Sequence, residues 1–433
     1  LPLFAYLFVK KNSHSKILSF LFSAIIAFNP YNIHYSRQAW ESNILTIELL
    51  LAAQLFFNKK YSWSSLIFGL SLYTYQTSKL ISLLLIIVLF IVNFSKDFFS
   101  KKFFIRFFLP LIIFTLPLLY SLLFQSAANR FTVLSLFSHS QSLSESTQII
   151  KESDQLDFQL FHNQYIYYVQ KLLSHYFNYF SPKFLLTEGD WQNPENSAPY
   201  TGVLLLPSII FLIIGLFKYL TDSKKNSLNR FFFFWLLLAP IPAALTEDTI
   251  HATRAMSFSL PLCYFAALGL SFVFSKFKNL LFISIIFICY SLSLFYYLDL
   301  YYNHMLKKKP QDWNYGYQSA VEYVTKYGQN KIVYFTPFYS QPYIYYLFYN
   351  QYEPQKYQAQ ANLINNGHDI GSVEKIDNII FETPNFNYLK TLKQPTLAIF
   401  SYDDAVRQGI DLNKLTPLSP INNISTFYAY KNP

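Results

Sequence analysis

Charge is what this sequence has least of. Only 13% of its 433 residues are Asp, Glu, Lys or Arg, against roughly 25% in an ordinary soluble domain. With 52% hydrophobic and 20% aromatic residues, a water-soluble globule is excluded, because the surplus apolar surface needs lipid around it. Cysteine is nearly absent. Cys263 and Cys289 both fall inside apolar runs, so neither a disulfide framework nor a cysteine metal site is available. The sequence also lacks internal repeats and low-complexity tracts, and its carboxyl-terminal part lacks a glycine-rich phosphate loop. The chain opens Leu1-Pro2-Leu3 with no Met and no charged leader, so it reads as the later part of something longer.

What is abundant is apolar helix. Crossing a hydrocarbon core of about 30 Å takes roughly 20 residues at 1.5 Å each. Spans are expected near Leu1 to Val9 (partial), Ile17 to Phe28, Ile44 to Phe57, Trp63 to Tyr75, Leu80 to Phe94 and Phe103 to Phe124. A second group runs Val203 to Leu220, Phe231 to Leu245, Met256 to Phe274 and Leu280 to Tyr297. The fold class expected is therefore an α-helical polytopic membrane bundle of about ten spans over residues 1–302, with a long loop at 126–200. A small α/β domain is expected over 303–433.

The net charge of +10 does not predict a nucleic-acid partner, because the basic residues gather in alternate turns. Lys10, Lys11 and Lys16 are followed by Lys59 and Lys60, then Lys96, Lys101, Lys102 and Arg106, then Lys224, Lys225 and Arg230, then Lys276 and Lys278. Positive residues favour the cytoplasmic side. The opposite turns, the 126–200 loop and everything after Asp299 are then extracytoplasmic, in a multi-pass protein of the cell membrane. Within the long loop, Tyr165 to Phe180 alternates aromatic and polar residues as a helix lying in the membrane interface does, or else one packed on a water-facing domain. In the last domain, helices are expected at Tyr317 to Tyr327 and Pro342 to Asn350. Strands are expected at Lys331 to Thr336, Asn378 to Phe381, Thr396 to Phe400 and Ser425 to Tyr430.

Ionisable residues near membrane depth are costly and are functional candidates. Asn29 to Asn43 holds His34, Arg37 and Glu41. Arg37 suits a phosphate or diphosphate at the bilayer surface, or an ion pair with Glu41; His34 suits a proton relay or a packed core position. Thr246 to Arg254 holds Glu247, Asp248, His251 and Arg254. Its two carboxylates suit deprotonation of a sugar hydroxyl, or helix capping. No cofactor is expected, although a divalent metal at this loop stays open. Tyr73 to Lys79 offers Tyr75 and the point charge of Lys79, and Ser181 to Trp191 offers Asp190, which equally fits a backbone turn.

These segments together resemble bacterial polytopic glycosyltransferases of the GT-C type, related to protein O-mannosyltransferases and lipid A aminoarabinose transferase. The residues carrying the resemblance are Pro30, Ser36-Arg37 and Glu41; Tyr73-Thr74-Tyr75 and Lys79; Phe184-Leu185 and Gly189-Asp190; and His251-Ala252-Thr253-Arg254 with Pro261 and Gly269. The resemblance implies transfer of a sugar from a polyprenyl-phosphate donor to an unidentified lipid, glycan or protein acceptor on the outer face of the membrane. Arg37, Lys79 and Arg254 then face the donor phosphate, with His34, Glu41, Tyr75, Asp190 and His251 around the substrates. The resemblance puts the catalytic base in an outer loop upstream of Leu1, or leaves its task to Glu247, Asp248 or Glu41. The competing readings are a flippase or transporter of lipid-linked saccharides, which calls for inverted repeats, and a membrane scaffold. Convergence of Arg37, Lys79 and Arg254 on one cavity is the geometric expectation of the transferase.

Overall fold

The computed structural model describes residues 1–124, 135–137, 144, 147–148, 163–223, 226–364, 371–421 and 424–432. The chain divides into two compact units, Leu1–Tyr301 and Tyr302–Pro433. Lys224, Lys225 and most of residues 125–162 lie outside the described residues.

The first unit is helical. Its helices are α1 (Pro2–Ser13), α2 (Lys16–Phe28), α3 (Pro30–Ser36), α4 (Glu41–Phe57), α5 (Tyr61–Thr74), α6 (Ser78–Val92) and α7 (Lys101–Phe124). After the long loop come α8 (Gln164–Asn178), α9 (Leu206–Thr221), α10 (Ser227–Leu238), α11 (Ile241–Ala244), α12 (Ser259–Lys276) and α13 (Leu280–Asp299).

The expectation of ten spans is corrected here. Among the described residues four helical segments are long and apolar enough to cross a membrane: Lys101–Phe124, Ser227–Ala244, Thr253–Lys276 and Leu280–Lys308. A fifth arises if α2 and α3, bent by 59° at Asn29, form one span. The reason is length. Helices α1, α2, α4, α5, α6 and α9 have only 12 to 17 residues, about 18 to 26 Å, short of the hydrocarbon core. The apolar runs expected at Ile17 to Phe28, Ile44 to Phe57, Trp63 to Tyr75 and Leu80 to Phe94 coincide closely with α2, α4, α5 and α6, and the expectation counts them as tilted or re-entrant spans although each is shorter than a full crossing. The Asn29 side chain accepts from the Tyr31 N–H at 2.9 Å, and Pro30 occupies the first position of α3, an arrangement that starts a new helix in a new direction.

Two of the four long segments serve different surroundings. The apolar window of Thr253–Lys276 is 78% buried and that of Lys101–Phe124 only 6%, so α12 runs through the middle of the unit while α7 lines its outside. Helix α12 crosses α9 at two glycines. A Cβ on Gly215 would fall on the Phe265 carbonyl oxygen, and one on Gly269 on that of Phe211. With apolar lipid outside, helices gain little from hydrophobic burial, so close backbone approach at small residues supplies the packing.

The second unit holds a six-stranded sheet in the order β4-β5-β1-β6-β8-β7, with β1 (Ile332–Phe335), β4 (Lys375–Ile376), β5 (Ile379–Ile380), β6 (Thr396–Ser401), β7 (Thr416–Ile421) and β8 (Ile424–Lys431); β2 (Leu363–Ile364) and β3 (Ser372–Val373) form a separate antiparallel pair. Strand β1 runs parallel to β5 and β6; the outer pairs are antiparallel. Alternation sends Val333, Phe335, Leu397 and Ile399 to one core, with Tyr317, Val321 and Tyr343 of the helices Tyr317–Tyr327 and Pro342–Tyr349. It sends Tyr334, Ala398 and Phe400 to the other, with Phe386 and Ala405. Strand β7 is absent from the sequence expectation because Pro417 and Pro420 interrupt it. It is an edge strand, where a missing N–H is tolerated.

Candidate functional site

The site of the first unit is built around the loop that joins α11 to α12. Hydrogen bonds hold this loop along most of its backbone. The Thr246 carbonyl meets His175 Nδ1 at 3.1 Å, and the Thr249 carbonyl accepts from Asn178 Nδ2 at 3.3 Å. Gln192 Oε1 accepts from the Thr249 N–H at 2.8 Å. The His251 N–H donates to the Tyr179 hydroxyl at 3.0 Å, and the Ala252 carbonyl accepts from the Tyr31 hydroxyl.

Asp190 is the knot. Its carboxylate accepts from the Ala252 N–H at 2.7 Å, Asn196 Nδ2 at 2.9 Å, the Asn193 N–H at 2.8 Å and Asn193 Nδ2 at 3.2 Å. Burial pushes this carboxyl above the usual carboxylate range, and those N–H donors pull it partly back. Asn196 in turn accepts from Thr253 Oγ1 at 3.0 Å, which meets the Tyr35 hydroxyl at 3.0 Å. Asp190 thus organises the loop from inside the protein.

The loop forms one wall of a cavity of about 480 Å³, contributing Thr246, His251 and Arg254. The facing wall is Tyr75, Gln76, Thr77 and Leu80; Pro242, Leu245, Ser135 and Phe137 complete the lining. The short described stretch at Leu136 is fastened there, its N–H donating to the Leu245 carbonyl at 3.1 Å. A second cavity, about 370 Å³, is lined by Glu41, Leu72, Tyr73, Thr74, Tyr75, Gln76, Lys79 and Leu118. The two adjoin, since Tyr75 and Gln76 line both. Lys79 Nζ donates to Gln76 Oε1 at 2.6 Å, which fixes the ammonium on the partition between them.

Of the expected phosphate-binding cations, Lys79 and Arg254 are therefore brought to adjoining cavities. Arg37 is not among the described residues lining either; its guanidinium lies over the Tyr301 ring at 5.7 Å. His34 is buried, with Nε2 2.9 Å from the Glu195 carbonyl oxygen and its ring among Tyr35, Trp40 and Tyr301. The two carboxylates expected to act as base are each ion-paired: Glu247 with Lys171 at 3.0 Å, and Asp248 with Arg254. Neither lines the two cavities among the described residues. Glu41 and Tyr75 do line the second cavity.

Sequence reasoning passed over Gln76, Asn193, Asn196, Gln192 and Lys171, and also Glu48, whose Oε2 accepts from Thr74 Oγ1 at 2.7 Å. The run Asn193-Pro194-Glu195-Asn196 carried a turn signal that marks a fixed loop. Among the described residues no group of three or more His, Cys, Asp or Glu is placed to hold a metal ion.

Burial, with the Arg254 charge adding to it, lowers the His251 imidazole from its ordinary 6.5 to about 3. His251 is thus neutral in the fold across the physiological range. Below pH 6.5 the unfolded chain takes up a proton that the folded chain refuses. Stability is then full above pH 6.5 and falls as pH drops towards 3, by at most ~1.4 kcal/mol per pH unit. His175, also shifted down by burial, adds in the same direction. Thermal melts of detergent-solubilised protein between pH 7 and pH 4, a range chosen to lie roughly across this window, are expected to show a shallower acid loss for His251→Asn than for the wild type. Parallel curves would show that His251 does not titrate in this way.

The chain was compared with protein-family models, curated proteins and solved structures, and it matches none of them.

Proposed function

We propose that the first unit is a membrane glycosyltransferase acting on a polyprenyl-phosphate sugar. The observation carrying this reading is the pair of adjoining cavities that share Tyr75 and Gln76, with Arg254 in one, Lys79 and Glu41 in the other. The sugar phosphate sits at the partition, its charge facing Lys79 and Arg254. The acceptor hydroxyl enters beside Glu41. Glu41 takes the hydroxyl proton, the hydroxyl oxygen bonds the anomeric carbon, and the bond from that carbon to the phosphate oxygen breaks. Polyprenyl phosphate departs with the electron pair, stabilised by the two cations. The reading places the cavities and the carboxyl-terminal unit on the outer face of a cell membrane.

The test is transfer of radiolabelled sugar from a polyprenyl-phosphate donor in proteoliposomes. Lys79→Ala is expected to lower turnover by about 100-fold, as loss of one charge-stabilising group does; Lys79→Arg restores part of it, and Arg37→Ala stays near wild type. Equal activity of Lys79→Ala and wild type would overturn the assignment. Movement of a fluorescent lipid-linked sugar across the bilayer with no transfer would favour the flippase reading instead.

A further inference from the structure

Helix α8 carries an apolar stripe that the rest of the described chain leaves open. Tyr165, Val169, Leu173 and Phe177 recur every fourth residue, and are 84%, 54%, 48% and 62% exposed. Residues four apart stack on one helix face, so the stripe runs the helix's length, about 22 Å for 15 residues. Exposed Gln170 and Ser174 border it on one side. The charged and bonding side chains point the other way: Lys171 to Glu247, His175 to the Thr246 carbonyl, Asn178 to the Thr249 carbonyl.

We propose that α8 lies in the headgroup layer of the bilayer with this stripe against the acyl chains, and that it thereby holds the loop bearing His251 and Arg254 at membrane level. Three observations select lipid as the occupant. The same unit contains helices long and apolar enough to cross a membrane. The Tyr176 hydroxyl donates at 2.8 Å to the carbonyl of Leu237, an exposed residue of the segment Ser227–Ala244, so the stripe lies beside a helix long and apolar enough to cross a membrane. Its composition, aromatic at both ends and aliphatic between, with a polar border, is that of an interfacial helix. The inner face reaches the loop backbone at residues 246 and 249, so any displacement of α8 displaces a cavity wall. This inference rests on the membrane reading and is independent of sugar transfer.

The experiment places single cysteines at Val169, Leu173, Phe177, Gln170 and Ser174 in a Cys289→Ser background, Cys263 being buried. Each is spin-labelled in the full chain in phosphatidylcholine vesicles. The expected result is collision with oxygen severalfold above collision with a water-soluble nickel complex at 169, 173 and 177, and the reverse at 174. Nickel-dominated collision at all five sites, shielding from both reagents by another part of the chain, or dipolar broadening from a second copy would each overturn the proposal. A lipid-borne diazirine provides a second measurement on the unsubstituted protein. Labelling within Tyr165 to Phe177 supports the proposal, and absence of label there overturns it.

Discussion

Gly269→Leu is expected to prevent the first unit from reaching its native packing. The position lies where α9 and α12 touch backbone to backbone, and a side chain there meets the Phe211 carbonyl and, at 2.7 Å, the Gly215 nitrogen. Backbone of two helices cannot rotate away as a ring can. The cost therefore sits at or above the top of the ~1–3 kcal/mol usual for over-packing. Gly215→Leu is expected to do the same from the other side. Gly69→Ala provides a milder contrast, since the three atoms nearest its added methyl belong to the Phe114 side chain, at 2.7 to 3.0 Å, and none is backbone. Melting temperature and size-exclusion profile in detergent read the difference. Equal losses at Gly69→Ala and Gly269→Leu would show that the α9–α12 crossing is no tighter than its surroundings.

Asp190→Ala is expected to have the next largest effect, and a more local one. The substitution leaves the buried Ala252 N–H and Asn196 amide, and the half-buried Asn193 N–H, without their acceptor. Each orphaned donor costs ~1–3 kcal/mol, so a total on the order of 3 kcal/mol or more is expected. Asp190→Asn keeps the shape and one acceptor oxygen but turns an NH2 towards N–H groups, and falls between alanine and wild type. Hydrogen exchange at Ala252 is the sharper readout: its amide is expected to exchange at least about 100-fold faster in Asp190→Ala. An unchanged melt together with unchanged exchange at Ala252 would show that Asp190 does not hold the loop.

Some of the site was legible early. The segments Tyr73 to Lys79 and Thr246 to Arg254 stood out because ionisable groups beside apolar helices are conspicuous, and residues of both do line one cavity. The pairing within them was not legible. Glu247 and Asp248 looked alike in sequence, yet one meets Lys171, 76 residues away, and the other meets Arg254 within its own loop. Asp190 looked like a turn residue, and it reaches the Ala252 N–H across 62 positions. Arg37 had the right charge and sits over Tyr301 instead of in either cavity.

The sequence by itself determined the membrane class, the change of texture that marks the second unit, the amphipathic helix α8 and the strands β1, β6 and β8. Each of these depends on composition or on a period of a few residues, and such signals are local. The helices α4, α5 and α6 end close to where the apolar runs end, so their shortness was already legible; the tertiary structure added the 59° bend at Asn29-Pro30 and left four segments long and apolar enough to cross a bilayer among the described residues. It alone decided that β7 closes a sheet edge despite two prolines. It also decided that Arg254 and Lys79 line two adjoining cavities while Glu247 and Asp248 are each ion-paired. Those outcomes rest on contacts between residues far apart in the chain, and no local spacing encodes them.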